Sequence, residues 1–108
     1  MSYSEPTDMN HLRDIRHAAP KEFEAWLNLD KIVGREDGAI PRKYRELIAI
    51  AVAVTTQCPY CLDAHTKAAK EKGVTEAELA EAVMIATALR AGAGATHGAL
   101  AMKLFKRD

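Results

Sequence analysis

The sequence predicts an all-α protein, and three observations support this fold class. Apolar residues recur at helical spacing along most of the chain. Proline, glycine and capping residues divide these stretches into separate candidate helices. No strand–turn–strand pattern appears between them. The chain has 108 residues, a length that suits one domain, so we expect residues 1–108 to form a single domain.

The N-terminal third carries two candidate helices. Residues 8–18 form the first, with its apolar side chains on one side. The second begins at Pro20, a residue that suits a first helical turn. Its apolar stripe includes Trp26 and stops at Gly34. We expect residues 34–38, which are polar and rich in glycine, to form a joint.

A third candidate helix begins at Pro41 and contains the most apolar stretch of the chain. Every residue from 47 to 54 is apolar, so we expect this helix to be buried almost all round. Its β-branched residues also fit a buried strand. The alternating alanines and the distance from Pro41 favour the helix.

Two more helices follow, and each begins at a recognisable cap. Residues 59–72 form one, which Gly73 closes. Thr75 and Glu78 have the spacing of a capping box and begin the next.

The C-terminal segment is dominated by small residues. Ten of the sixteen residues from 86 to 101 are Ala or Gly, so we expect other helices to pack against it, including helices of other subunits. Gly92 and Gly94 are expected to break or loosen this segment, and a last helix runs to about Lys106. We interpret His97 as an interface residue in preference to a site residue.

Charge and hydropathy exclude several classes of protein. The 15 basic and 15 acidic residues balance, and the chain has only one Trp, three Tyr and two Phe, so we expect no binding to nucleic acid. The longest apolar stretch has eight residues, against the ~20 that span a bilayer. Residues 1–22 lack the apolar region of a secretory signal. We therefore expect a cytoplasmic protein that is not bound to a membrane.

The two cysteines form the pattern with the clearest chemistry. In a reducing compartment, Cys58 and Cys61 indicate redox or metal chemistry in preference to a structural disulfide. Pro59 at a first helical position makes Cys58 the predicted N-cap, where free amides and the helix dipole stabilise a thiolate. His65 lies one turn after Cys61, within roughly 60° of both cysteines around the helix. These residues predict a redox-active dithiol with its own base.

Glu46 is the candidate acid–base partner of this dithiol. It precedes Cys58 by twelve residues and lies on the side of the third helix that carries Ile50. A carboxylate at the head of an apolar stripe needs a partner or a raised pKa. The alternative is that Glu46 pairs with Arg42 or Lys43 on a solvated first turn.

The cysteine spacing leaves other interpretations open. Cys58, Cys61 and His65 are three zinc-ligand types, and Glu46 would supply a fourth. Structural zinc usually takes ligands from two separated pairs, and this chain has one, so we expect no metal and no cofactor. Two small buried hydrophobic residues are the other alternative. Tyr60, between the cysteines, either hydrogen-bonds within the site or covers its pocket.

Residues 45–54, followed by Cys58, Cys61 and His65, resemble the AhpD-like branch of the carboxymuconolactone decarboxylase superfamily. The spacing Glu-x11-Cys-x2-Cys-x3-His is fairly specific to that branch. The resemblance covers about residues 20–101, which we take as the core of the domain. It implies an all-helical fold that assembles as a homotrimer or homohexamer, with alkylhydroperoxidase-type activity.

The resemblance also implies a role for each site residue. Cys61 is the peroxidatic cysteine, Cys58 its proton donor and disulfide partner, and Glu46 and His65 the proton relay. The substrate is then a hydroperoxide, and an external dithiol regenerates the thiols. From the residues alone the attacking cysteine stays open, because the helix terminus favours Cys58 and His65 favours Cys61. AhpD proper often has a histidine where this chain has Tyr60, and it is longer, so its reductant does not carry over.

Two other classes of function remain as alternatives. One is a decarboxylase-type lyase of the wider superfamily, which needs no disulfide. The other is a non-catalytic metal-binding or scaffold protein.

Overall fold

The computed structural model describes residues 4–108, and every regular element in this range is a helix. The predicted all-α class is therefore confirmed. A short 3₁₀ helix, Pro6–His11, precedes five α-helices. These are α1 Leu12–Ala18, α2 Pro20–Val33, α3 Arg42–Thr56, α4 Pro59–Glu71 and α5 Glu76–Phe105. None of the helices in the described range is long and apolar enough to cross a membrane.

The N-terminal helices pack mainly on each other. The segment predicted as one helix over residues 8–18 is a 3₁₀ helix followed by α1. The prediction for α2 is confirmed, since Pro20 occupies its first turn and Gly34 its C-cap. Phe23 is the buried residue of α2, and its ring lies edge-on to Trp26 at 5.4 Å between centroids. The two rings form a small apolar contact outside the main core.

Helix α3 is the central element, because α4 and α5 both pack on it. The predicted helix is confirmed, but the expectation that residues 47–54 are buried all round is wrong for the single chain. Ile50 and Ala53 are 1% and 3% exposed, whereas Ile48 and Val52 are 51% and 55% exposed. The buried residues of α3 lie on one side of the helix, and the opposite side stays open in the single chain.

The joint after α3 delivers the chain directly to the cysteine motif. Gln57 has φ of 56°, the left-handed conformation that ends many helices, and its N–H binds the carbonyl of Ala53. Cys58 follows at once as the N-cap of α4. Helix α4 ends at Glu71, one residue before the predicted end, and Gly73 with φ of 82° turns the chain away.

Helix α5 begins at the predicted capping box. The hydroxyl of Thr75 accepts from the Glu78 N–H at 3.1 Å, and the Glu78 carboxylate accepts from the Thr75 N–H at 2.9 Å. The expected break at Gly92 and Gly94 is wrong, because α5 runs unbroken for 30 residues. Each glycine costs about 1 kcal/mol relative to alanine, and the many neighbouring alanines are the best helix formers. Low propensity at two positions is therefore too small to end the helix.

Candidate active site

The two cysteines lie at the first turn of α4 and are joined by a disulfide, with Cα atoms 5.3 Å apart. Cys58 is the N-cap, as predicted, and its sulfur accepts a hydrogen bond from the Cys61 N–H at 3.3 Å. Pro59 fills the first position of the helix. The sulfur of Cys58 thus lies beside helix-terminal amides, an environment that stabilises negative charge on sulfur.

Glu46 is the buried charged residue of the core, with 2% of its surface exposed. Its two carboxylate oxygens have different partners. Oε1 accepts from Nε of Arg42 at 2.7 Å, and Oε2 lies 2.6 Å from Nδ1 of His65. The carboxylate therefore joins α3, which carries Arg42, to α4, which carries His65.

The two interpretations of Glu46 meet in this arrangement. Its pairing with Arg42 one turn earlier is present, but the turn is buried at Glu46 and not solvated. Lys43, the other proposed partner, instead pairs with Glu78 at 3.0 Å. Sequence spacing identified the Arg42 pair correctly, and the contact with His65 brings the same carboxylate to the helix of the cysteines.

The electrostatic balance at Glu46 favours its ionised form. Burial alone would raise its pKa, but the hydrogen bonds from His65 and from Arg42 outweigh burial and hold the pKa below its ordinary value. An ionised carboxylate only accepts hydrogen bonds, so Nδ1 of His65 is the donor. In the neutral imidazole the lone pair then lies on Nε2. Among residues 4–108, Nε2 has no hydrogen-bond partner.

A cleft of about 670 Å³ adjoins this network. Of the two cysteines, Cys61 lines the cleft, and so does His65. Exposed aliphatic side chains form much of the remaining wall, among them Ile40, Ile48 and Val52. A thiol at Cys61 would therefore face the same space as the imidazole, beside a largely apolar surface.

Tyr60 is not among the residues that line the cleft. Its hydroxyl donates to Oδ2 of Asp8 at 2.8 Å, which fastens the N-terminal 3₁₀ helix to the first turn of α4. This bond raises the pKa of Tyr60. Sequence analysis missed this contact, because no sequence pattern relates two residues that are 52 positions apart. His97 is an exposed residue of α5.

Sequence analysis also missed an extension of the network beyond Glu46. Glu36, in the joint before α3, accepts from Nη1 of Arg42 at 3.3 Å and pairs with Nζ of Lys72 at 2.7 Å. The i, i+4 spacing is a usable signal for Arg42. Glu36 and Lys72 carry no such signal, since loop geometry brings them together. Within the described residues, no group of three His, Cys, Asp or Glu side chains is arranged to hold a metal ion.

Comparison with known sequences gives a family and several relatives. The profile of the carboxymuconolactone decarboxylase family matches residues 20–104. "Uncharacterized protein 4 in cox locus" of Paracoccus denitrificans is 42% identical over 86 residues, which cover 80% of this chain and 77% of the relative. An alkyl hydroperoxide reductase of Mycobacterium tuberculosis is 42% identical over 55 residues, 51% of this chain but only 15% of the reductase.

Two solved structures resemble this chain in fold. A carboxymuconolactone decarboxylase family protein from Legionella pneumophila superposes with a TM-score of 0.66 at 31% identity, covering 75% of this chain and 71% of that one. A protein from Methanobacterium thermoautotrophicum gives a TM-score of 0.70 at 31% identity, covering 80% and 96%.

Proposed function

Because the chain belongs to the carboxymuconolactone decarboxylase family, we propose that it is a thiol-dependent peroxidase that reduces alkyl hydroperoxides. The observation that carries this proposal is a single cleft lined by Cys61 and His65, with Cys61 joined to Cys58 and His65 bonded to a buried carboxylate. The similarity to an alkyl hydroperoxide reductase over half of this chain supports it.

In the first step His65 accepts a proton and later returns it. As general base, Nε2 takes the proton of the Cys61 thiol, either directly or through Cys58 or a water, and Glu46 stabilises the imidazolium that forms. The thiolate attacks the terminal oxygen of the hydroperoxide, so that an S–O bond forms and the O–O bond breaks. Sulfur is oxidised to a sulfenic acid. The departing alkoxide takes the proton back from His65 and leaves as an alcohol.

In the second step the thiol of Cys58 attacks the sulfenic acid of Cys61, and water leaves. The product is the Cys58–Cys61 disulfide, the form that the structure contains. An external dithiol then reduces this disulfide by thiol–disulfide exchange and is itself oxidised. A cytoplasmic location fits this cycle, because dithiol reductants keep thiols reduced there.

The proposal includes assembly as a homotrimer or homohexamer. The chain exposes 8592 Å², whereas a compact monomer of this length exposes about 5,900 Å². The excess is of the size that one subunit buries in an obligate interface. Large apolar residues on the open side of α3 and along α5 are exposed in the single chain, including Val52, Leu89 and Phe105. Other copies of the chain are the proposed cover.

Free-thiol titration combined with peroxide consumption tests the proposal. The chain contains only these two cysteines, so peroxide should convert two free thiols to none within one polypeptide. Cys61→Ser should abolish turnover, whereas Cys58→Ser should let a sulfenic acid accumulate at Cys61 for a trapping reagent. The double variant gives the uncatalysed background. Full turnover in both single variants would contradict the dithiol mechanism and favour the lyase alternative.

A further inference from the structure

We infer that Arg42, anchored by Glu36, is a positioning residue that occupies one carboxylate oxygen of Glu46 and so directs the other oxygen to Nδ1 of His65. The inference rests on the proposed peroxidase function and assigns the proton transfer within it. In this arrangement His65 carries the proton through Nε2. Glu46 acts as a fixed anion and is not itself the proton source.

The guanidinium of Arg42 bridges two carboxylates. Its Nε donates to Oε1 of Glu46 at 2.7 Å, and its Nη1 donates to Oε1 of Glu36 at 3.3 Å. Nζ of Lys72 contacts the same Glu36 oxygen at 2.7 Å. A planar guanidinium that is held at two of its nitrogens has little freedom to rotate, whereas one held by a single contact can still turn about it. The orientation of Arg42 is therefore fixed by the joint before α3 and by the end of α4.

This fixed cation leaves Glu46 one way to meet the imidazole. With Oε1 occupied by Arg42, Oε2 is the oxygen that faces Nδ1 of His65, at 2.6 Å. Burial alone would favour the protonated form of this carboxyl, and the hydrogen bonds from His65 and Arg42 hold its pKa below its ordinary value. At pH 7 the carboxyl is therefore held in its ionised form. A group so rarely protonated is a poor proton donor to an alkoxide.

The test compares Arg42→Gln with Lys43→Gln as the matched control. Lys43 is the next residue of α3 and is similarly exposed, but its ion pair is with Glu78 and lies outside the cleft. Nitrogen NMR shifts of the His65 ring report which nitrogen carries the proton, and His65→Gln identifies the signals. Titration of the Glu46 carboxyl carbon reports its pKa. Neither measurement depends on peroxidase activity.

Arg42→Gln should raise the pKa of Glu46 and give a mixture of His65 tautomers in place of the Nδ1–H form. The value of kcat should fall about tenfold or more, part of the 10²–10⁴ that a positioned acid–base group contributes. KM should change less than about twofold if Arg42 acts through Glu46. Arg42→Lys, which keeps the charge, should restore the Nδ1–H tautomer and most of kcat. Lys43→Gln should match the wild type in every measurement.

An unchanged tautomer and an unchanged Glu46 titration in Arg42→Gln would overturn the inference. So would a rise in KM with kcat intact, since that would assign Arg42 to substrate binding. If Arg42→Gln does not fold, Glu36→Gln replaces it, because Glu36 is largely exposed and its loss frees one side of the guanidinium. The same changes with the same sign but smaller size are then expected. Absence of peroxide turnover in the wild type would defeat only the peroxidase proposal.

Discussion

The two sides of α3 differ in a way that reverses the usual distribution of side chains in a small protein. The covered side contains Glu46 among Ile50 and Ala53, whereas the open side presents Ile48 and Val52 to solvent. Charged residues are rarely buried unless they are paired. Both oxygens of Glu46 are paired, so its burial is explained by Arg42 and His65 on one network.

The open side lacks such an explanation within one chain. Val52 lines both the cleft beside Cys61 and a second groove between α3 and α5. Aliphatic residues that are continuous over two grooves are typical of a surface that another protein covers. We therefore expect the buried network at Glu46 to serve the proposed chemistry and the open side of α3 to serve the proposed assembly, although Ile48 and Val52 also border the cleft. Changes at Glu46 should act mainly on turnover, whereas changes at Val52 should act mainly on self-association.

The largest effect is expected on the covered side, from Glu46→Gln. Glutamine has one acceptor oxygen, and if Arg42 takes it, the amide NH₂ faces Nδ1 of His65, which must then become an acceptor. The proton moves to Nε2, the wrong tautomer for taking a proton from Cys61. Turnover should fall roughly 100-fold or more. The free energy of unfolding should fall by about 1–3 kcal/mol, because a buried charged hydrogen bond is weakened.

Steady-state kinetics and urea unfolding on the same protein separate these two effects. A stability loss with unchanged turnover would remove Glu46 from the mechanism and leave it as a structural ion pair with Arg42.

The sequence predicts those features of α3 and its site that depend on residues close together in the chain. The helix itself, the N-cap at Cys58 and the capping box at Thr75 follow from neighbouring residues, and the structure confirms them. The spacing also found the pair of Glu46 with Arg42. The contact with His65 depends on how α3 and α4 pack, which spacing suggests but does not fix.

The errors have the same physical origin. Ile48 and Val52 are as apolar as Ile50, so composition does not show which of them the chain's own helices cover. Gly92 and Gly94 do not end α5, because their low helix propensity is a small effect within an alanine-rich helix. Glu36 belongs to a loop, where periodicity carries no information.

A smaller effect is expected on the open side, from Val52→Asp. A charge in the middle of an interface must be desolvated without a partner, so self-association should weaken by about tenfold or more. The fold of the single chain should persist, because Val52 is more than half exposed there. Light scattering over a range of concentrations measures the change. Ala64→Asp, on the exposed side of α4, is the matched control and should leave assembly unchanged. If both variants self-associate as strongly as the wild type does, an interface on this side of α3 is contradicted.

The smallest effect is expected from acid, again on the covered side. Hydrogen bonds from His65 and Arg42 place the folded-state pKa of Glu46 below the value near 4.5 that applies in the unfolded chain. A depressed pKa stabilises the fold fully above the unfolded value, and this contribution is lost as the pH falls through the folded pKa. The wild type should therefore be more stable than Glu46→Gln above pH 4.5, and the difference should shrink at lower pH.

Asp8, Glu36 and Glu78 also have lowered pKa values, so both proteins lose stability in acid, and only the difference between them isolates Glu46. Urea unfolding at one fixed protein concentration across this pH range measures it, the concentration being fixed because assembly also stabilises the chain. A difference that stays constant from neutral pH to pH 3 would mean that the fold does not hold Glu46 ionised, and the covered side of α3 would then lose its role as the site of a fixed anion.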